Sequence, residues 1–328
     1  MKHMSAFSRP EVLCIGETMG VVTPARHESF RAAQDCLLGV GGAESNVASH
    51  MADFGLSVAW ASRVGNDAFG DRILDELAAR GVDLRWAIRD STASTGIYFK
   101  EPDTGGGAHT YYYRSGSAAS RMTVWDLSTW PLADVNRVHL TGITPALSES
   151  CANLAEQVLH DADKVGYRVS FDVNYRSALW PAEKAGPHIL SLANLAHTVL
   201  VGLDEAETLW GCVKAEDVAA LLPGPSHLVV KDSAVEAVEF TRTTGGSQEI
   251  HRVPAQRVDV VEPVGAGDAF AGGYLTGLIR GDCPDDRLRL GHSLAAWTLG
   301  SRLDFRPGHG PGIRNSTPAE STHERTGQ

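Results

Sequence analysis

Short apolar runs bounded by turn residues, alternating with longer stretches of helical period, constrain this chain more than any other feature of its sequence. Runs at 12–16, 58–64, 137–140, 168–173, 197–201 and 227–231 have the length and composition of buried strands. Helices are expected between them at 44–54, 69–80, 149–164, 204–209 and 216–221. In 69–80, Phe69, Ile73, Leu74 and Leu77 recur at spacings of three and four, the stripe with which a helix covers a sheet. A series of β–α units of this kind builds an α/β domain around a mostly parallel sheet.

Two segments break the alternation. Residues 95–101 and 109–116 are aromatic and β-prone, and the Gly-rich stretch 102–107 between them reads as the turn of a hairpin. A hairpin that interrupts a βα series is a candidate lid over the ligand crevice. Further strands are expected at 235–242 and 248–253, then helices at 269–280 and 285–301. The polar tail, 315–328, is expected to be disordered.

A formal charge of −11 argues against nucleic acid polymers and anionic membranes as partners, so an anionic substrate must meet a local cluster of cations. No apolar stretch approaches the ~20 residues that span a bilayer. Residues 1–10 lack the apolar core of a secretory signal. Cys14, Cys36, Cys151, Cys212 and Cys283 are scattered without zinc-finger spacing and read as reduced thiols. The expected compartment is the cytoplasm.

The chemistry concentrates in Glu-Pro-Val-Gly-Ala-Gly-Asp (262–268), which leads into a helix of small residues. Gly265, Ala266 and Gly267 allow a sharp turn that aims successive N–H groups at one point on a helix N-terminus, a site for a phosphate-sized anion. Asp268 is then either a helix cap or a base placed to accept a hydroxyl proton. A dinucleotide fingerprint is excluded because Phe270 stands where its third glycine belongs, and the chain has no Gly-Lys-Ser/Thr loop.

Gly-Gly-Ala-Glu-Ser-Asn-Val-Ala (41–48), Gly55, and Arg-Val-Gly-Asn-Asp-x-Phe-Gly (63–70), together with Gly-Ala-Gly-Asp, resemble the two signature regions of the ribokinase-like (phosphofructokinase-B type) carbohydrate kinases. The resemblance runs from Val12 to Asp304. It implies a three-layer α/β/α fold with a small β lid, formed by about 17–40 and 94–116, within a single kinase domain over 11–314. Residues 112–120, 141–148 and 172–180 are similar to one branch, the 2-keto-3-deoxygluconate kinases. By that resemblance Gly42, Asn46, Tyr98, Tyr112, Arg114, Ile143, Arg176 and Asp304 line a sugar-acid pocket, and Asp268 acts as base beside Gly265, Ala266 and Gly267. Asn174, Lys231, Ser233, Gly265 and Gly267 meet the nucleotide, ATP, and Glu205 stands in the outer shell of Mg2+. Arg114 and Arg176 offer the planar fork of donors that a carboxylate takes. A homo-oligomer through the lid is a further expectation.

Several positions depart from the family pattern. Gly202 replaces an asparagine, Glu262 replaces a common aspartate, and Ser233 and Glu236 stand where two glycines are usual beside the nucleotide. A side chain is unfavourable where φ must be positive, and Glu236 adds negative charge if it points at the phosphates. The gluconate and galactonate epimers stay unresolved. A kinase of a neutral ketose, or a catalytically weak sensor of acid sugars, is the alternative.

Overall fold

The computed structural model describes residues 9–103, 109–243, 245–261, 264–301 and 304–308, so Glu262 and the tail 315–328 lie outside the described residues. The first strand, β1 (Val12–Ile15), is buried along its whole length and divides the core. Leu13 and Ile15 join one apolar cluster and Val12 and Cys14 the other, because successive strand side chains point to opposite faces. The chain then makes β2 (Met19–Pro24) and β3 (Cys36–Gly41), and returns through α1 (Ala43–Asp53) to β4 (Val58–Gly65). Next come α2 (Ala68–Ala79), β5 (Asp83–Asp90) and the hairpin β6 (Ile97–Glu101) and β7 (His109–Tyr113).

The βα series resumes with β8 (Arg137–Thr141), α3 (Ile143–Ala146), α4 (Glu149–Val165), β9 (Arg168–Asp172), α5 (Ala182–Leu195) and β10 (Thr198–Gly202). It continues through α6 (Leu203–Trp210), α7 (Ala215–Leu221) and β11 (His227–Asp232). Strands β12 (Glu236–Arg242) and β13 (Gln248–Pro254) precede the last helices, α8 (Ala266–Arg280) and α9 (Pro284–Leu299).

Nine strands form one sheet in the order β13-β12-β11-β10-β9-β8-β1-β4-β5. Neighbours are parallel except β11–β12 and β12–β13. Side chains of α4 to α7 pack on one face, and those of α1, α2, α8 and α9 on the other, giving the three-layer architecture. Strand order reverses between β1 and β8, and a crevice forms outside the carboxyl ends of the strands at such a reversal. A second sheet, β3-β2-β6-β7, walls that crevice.

Two elements escape the apolar pattern. Strand β5 lies at the sheet edge and carries Asp83, Arg85, Arg89 and Asp90, with no fully buried residue, so it shows no apolar run. Helix α5 contains Gly186-Pro187, which reads as a breaker. The burial of Ala185, Ile189, Leu192 and Ala193 carries the helix through it.

A buried carboxylate ties the antiparallel edge to the last helices. Glu239 on β12 accepts hydrogen bonds from Tyr274 Oη on α8 at 2.9 Å and from Arg287 Nε on α9 at 2.9 Å, and meets His227 Nδ1 at 3.0 Å. Burial opposes its charge, but the bonds from His227 and Arg287 outweigh it and hold the carboxyl down at about 2. Glu239→Ala should therefore lower unfolding free energy in urea by about 3–5 kcal/mol, because Arg287 is left buried and unpaired. The wild-type contribution should be complete above the ordinary value of 4.5 and fade as pH falls toward about 2.

Candidate active site

Gly265 adopts φ 83°, ψ −10°, the left-handed conformation that glycine takes without penalty, and α8 begins at the next residue. A Cβ on Gly265 would lie 2.2 Å from the Asp304 carbonyl oxygen, so glycine is also the residue that fits. The N–H groups of Ala266, Gly267 and Asp268 fall in the first helical turn, where no intrahelical acceptor exists, and the helix dipole favours an anion there. Gly265 holds the cap position, so Asp268 is not the cap. Its carboxylate instead accepts from Asn46 Nδ2 at 2.9 Å. The residue keeps some exposure to the cavity while its carboxyl group is enclosed. Burial, reinforced by Asp172 and Asp304, pushes that carboxyl up to about 7 against the Asn46 bond and the Arg176 charge.

A cavity of about 1270 Å³ opens in front of this turn. Its lining includes Gly42, Asn46, Tyr98, Tyr112, Arg114, Ile143, Arg176 and Asp304, the residues expected around the sugar, and also Asn174, Lys231, Ser233 and Glu205 from the nucleotide side. Every side chain singled out from the sequence for the site thus meets the same space. Tyr112 faces Tyr98 with ring centroids 5.7 Å apart, while Tyr113 packs edge-on against Phe99 on the other face of the hairpin. The Oδ1 atoms of Asn46 and Asn174 are buried without a partner among the described residues. Unpaired buried oxygens of this kind are costly unless a ligand or water meets them.

The cations differ from the expectation of two waiting arginines. Arg114 is buried and committed to Glu17, its Nε 2.7 Å and its Nη2 2.5 Å from Oε2. Glu17 follows β1 and Arg114 follows β7, so the pair joins the two roots of the small sheet. Arg176, after β9, is exposed, makes no ion pair among the described residues, and donates only to the adjacent Tyr175 carbonyl at 3.3 Å. Of the two arginines, Arg176 is therefore the one whose charge is not already matched. Sequence reading also missed Glu17, Lys100 and Asp172, all in the cavity wall. Lys100 was accessible by alternation, since it lies two residues from Tyr98 on β6 and shares its face.

On the opposite side, Lys231 Nζ holds Asp172 at 3.0 and 3.2 Å. Burial works against the ammonium, but Asp172 and Glu205 outweigh it and raise its pKa. Glu205 accepts the N–H of Gly202 and the N–H of Tyr175, each at 2.8 Å. Each of its oxygens keeps a second lone pair, which suits contact with a metal through water rather than direct ligation. The described residues hold no cluster of three or more metal-ligating side chains.

Residues 9–304 match the pfkB family carbohydrate kinases. The chain belongs to this family. It is 34% identical over 290 residues to a 2-dehydro-3-deoxygluconokinase of Bacillus subtilis, covering 87% of this chain and 88% of that one. It is 30% identical over 300 residues to a 2-dehydro-3-deoxygalactonokinase of Haloferax volcanii, covering 87% and 90%. Among solved structures, a fructokinase with bound ATP from Xylella fastidiosa superposes with a TM-score of 0.76 at 27% identity, covering 89% of this chain and 92% of that one.

For a pfkB family kinase three of the four departures, those within the described residues, have local accommodations. Ser233 does adopt a positive φ, 40°, the strain expected of a side chain at a glycine position. Glu236 does not leave a bare charge toward the phosphates, because Arg252 Nη1 pairs with it at 2.5 Å. Gly202 caps α6 with no side chain, and Glu205 takes its N–H. As a carboxyl with a raised pKa, Asp268 is protonated below about 7 and available as a base above it. The kcat/KM profile of the wild type should therefore rise through an acidic limb near pH 7, a limb absent from a control reaction in which the coupling enzymes alone are titrated.

Proposed function

We propose that this carbohydrate kinase moves the γ-phosphate of ATP to the terminal hydroxyl of 2-keto-3-deoxygluconate or its galactonate epimer, giving the 6-phosphate. The observation that carries this reading is Arg176, a cation facing the cavity without an ion-pair partner among the described residues, in a chain of net charge −11. A neutral sugar has no use for it, whereas a sugar acid brings the carboxylate that its donors fit. The Bacillus subtilis and Haloferax volcanii relatives support both epimers as substrates. ATP as donor agrees with the ATP-bound Xylella fastidiosa fructokinase.

In this mechanism Asp268 takes the hydroxyl proton as the substrate oxygen attacks the γ-phosphorus, and the bond to the ADP oxygen breaks. The N–H groups of Ala266, Gly267 and Asp268 stabilise the charge on the transferred group, so positioning and electrostatics supply most of the acceleration. Asn46 orients the Asp268 carboxylate. Gly42, Tyr98, Tyr112, Ile143 and Asp304 enclose the sugar, and Arg114 closes that wall through Glu17. Asn174, Lys231 and Ser233 border the polyphosphate. Mg2+, when bound, neutralises the nucleotide phosphates, with Glu205 in its outer shell.

The domain that does this is read as 11–314, working in the cytoplasm, where its five free thiols stay reduced. Its small sheet exposes Leu37 (58%), Leu38 (50%) and Tyr113 (67%), a surface suited to a second copy of the chain. Sedimentation at micromolar concentration should give a dimer, and Leu38→Lys should shift it to monomer.

ADP release over a panel of sugar acids and neutral ketoses tests the function directly. Activity should be far higher with the sugar acids than with the ketoses, which remain slow substrates, and Asp268→Asn should bind both substrates while losing turnover by about a hundredfold or more. Arg176→Ala should raise KM for the acid on the order of tenfold. Efficient phosphorylation of fructose with no effect of Arg176 would remove the sugar-acid reading.

A further inference from the structure

Lys100 is a charged group of the cavity wall to which no role has so far been given. It sits on β6, two residues beyond Tyr98, and both side chains reach Asp304: Tyr98 Oη donates to Oδ2, and Lys100 Nζ lies 3.1 Å from Oδ1. The side chains of the ion pair are 11% and 7% exposed, so water screens it weakly. Asp304 in turn presses its carbonyl against Gly265 and its Oδ2 against Gly41, where a Cβ would lie 2.2 Å and 2.8 Å away. One residue therefore links these parts of the site: its carboxylate meets the hairpin and β3, and its backbone meets the turn that carries the anion-binding N–H groups.

The charges of the acceptor half of the cavity then sum simply. Glu17 cancels Arg114 and Lys100 cancels Asp304, leaving Arg176 opposite Asp268. Without the ammonium, Asp304 loses the cation paired with its carboxylate, and its negative charge beside Asp268 disfavours an acceptor that carries a carboxylate.

We propose that Lys100 is a specificity-determining positioning residue: by neutralising the Asp304 carboxylate it makes the acceptor pocket tolerant of an anionic sugar. The inference rests on the sugar-acid reading above. It names which buried cation allows an acid to enter, as distinct from Arg176, which receives it.

The test compares wild type, Lys100→Met and Lys100→Arg with 2-keto-3-deoxygluconate and with fructose, measuring KM and kcat for each. Cooperative thermal unfolding of each variant establishes that it is folded. Lys100→Met should raise KM for the sugar acid by about tenfold or more while changing KM for fructose and for ATP little, and Lys100→Arg should restore most of the loss. Equal losses with acid and neutral acceptors, or no loss with either, overturn the assignment. Failure of the underlying reading is seen elsewhere, in the wild type, as fructose phosphorylated in preference to the sugar acid. If Lys100→Met does not fold, Lys100→Arg and Lys100→Gln carry the same comparison, and a Lys100→Gln enzyme with unchanged preference for the acid overturns it.

Discussion

The contact between Gly265 and the backbone of Asp304 sets the geometry on which the rest of the site depends. A helix can present its first N–H groups to a phosphate only if the chain enters it at a sharp angle, and here a left-handed residue makes that angle. The carbonyl of Asp304 fills the space that any side chain at 265 would need. Helix α8 is anchored at its other flank by Tyr274, whose hydroxyl reaches the buried Glu239. The anion-binding turn is thus fixed by the close approach of two chain segments and by a helix that the core holds in place.

Around that turn the protein arranges charge in opposed pairs. Glu17 with Arg114, Asp304 with Lys100, and Asp172 with Lys231 each place an acid and a base in a poorly hydrated wall. Such pairs contribute little net stability, because desolvation offsets their attraction, but removing one partner is costly. Their value here is positional. They fix carboxylates and ammonium groups in one arrangement, with Arg176 and Asp268 beside them in the cavity and outside these pairs. The raised pKa of Asp268 follows from the same economy of solvent, since an enclosed carboxylate near Asp172 and Asp304 holds its proton to about 7.

Much of this was legible in the residues, for identifiable reasons. Strands β1, β10 and β11 are buried on both faces and carry apolar runs at 12–15, 199–201 and 228–230, whereas β8 and β9 bury His139, Thr141, Ser170 and Asp172 between their apolar residues. Helix α2 shows its stripe because only one side touches the sheet. The Gly-Ala-Gly-Asp turn announces itself because Gly265 answers a backbone demand, a positive φ against the Asp304 carbonyl. What stayed hidden depends on distance along the chain. Arg114 looked like a carboxylate receptor because Glu17, its partner, is 97 residues away, and Lys100 attracted no notice because Asp304 is 204 residues away. Local pattern gives the face on which a side chain lies; it does not give the opposite charge that folding brings to it.

The nucleotide side shows how a departure from a family pattern can be absorbed. A serine at φ 40° costs on the order of 1–2 kcal/mol relative to a relaxed conformation, a strain the surrounding strands β11 and β12 can sustain because six register pairs fix the turn between them. The charge brought by Glu236 is drawn onto Arg252 across the β12–β13 pairing, and that arginine also binds Glu216. At Gly202 the lost side chain is offset by a carboxylate three residues on, which caps the same helix and holds the Tyr175 amide next to Arg176. Gly202, Ser233 and Glu236 all line the cavity, and none of the three belongs to the Gly265 turn. These three positions are therefore accommodated by their own neighbours, while the turn set by Asp304 and the start of α8 keeps a separate set of contacts.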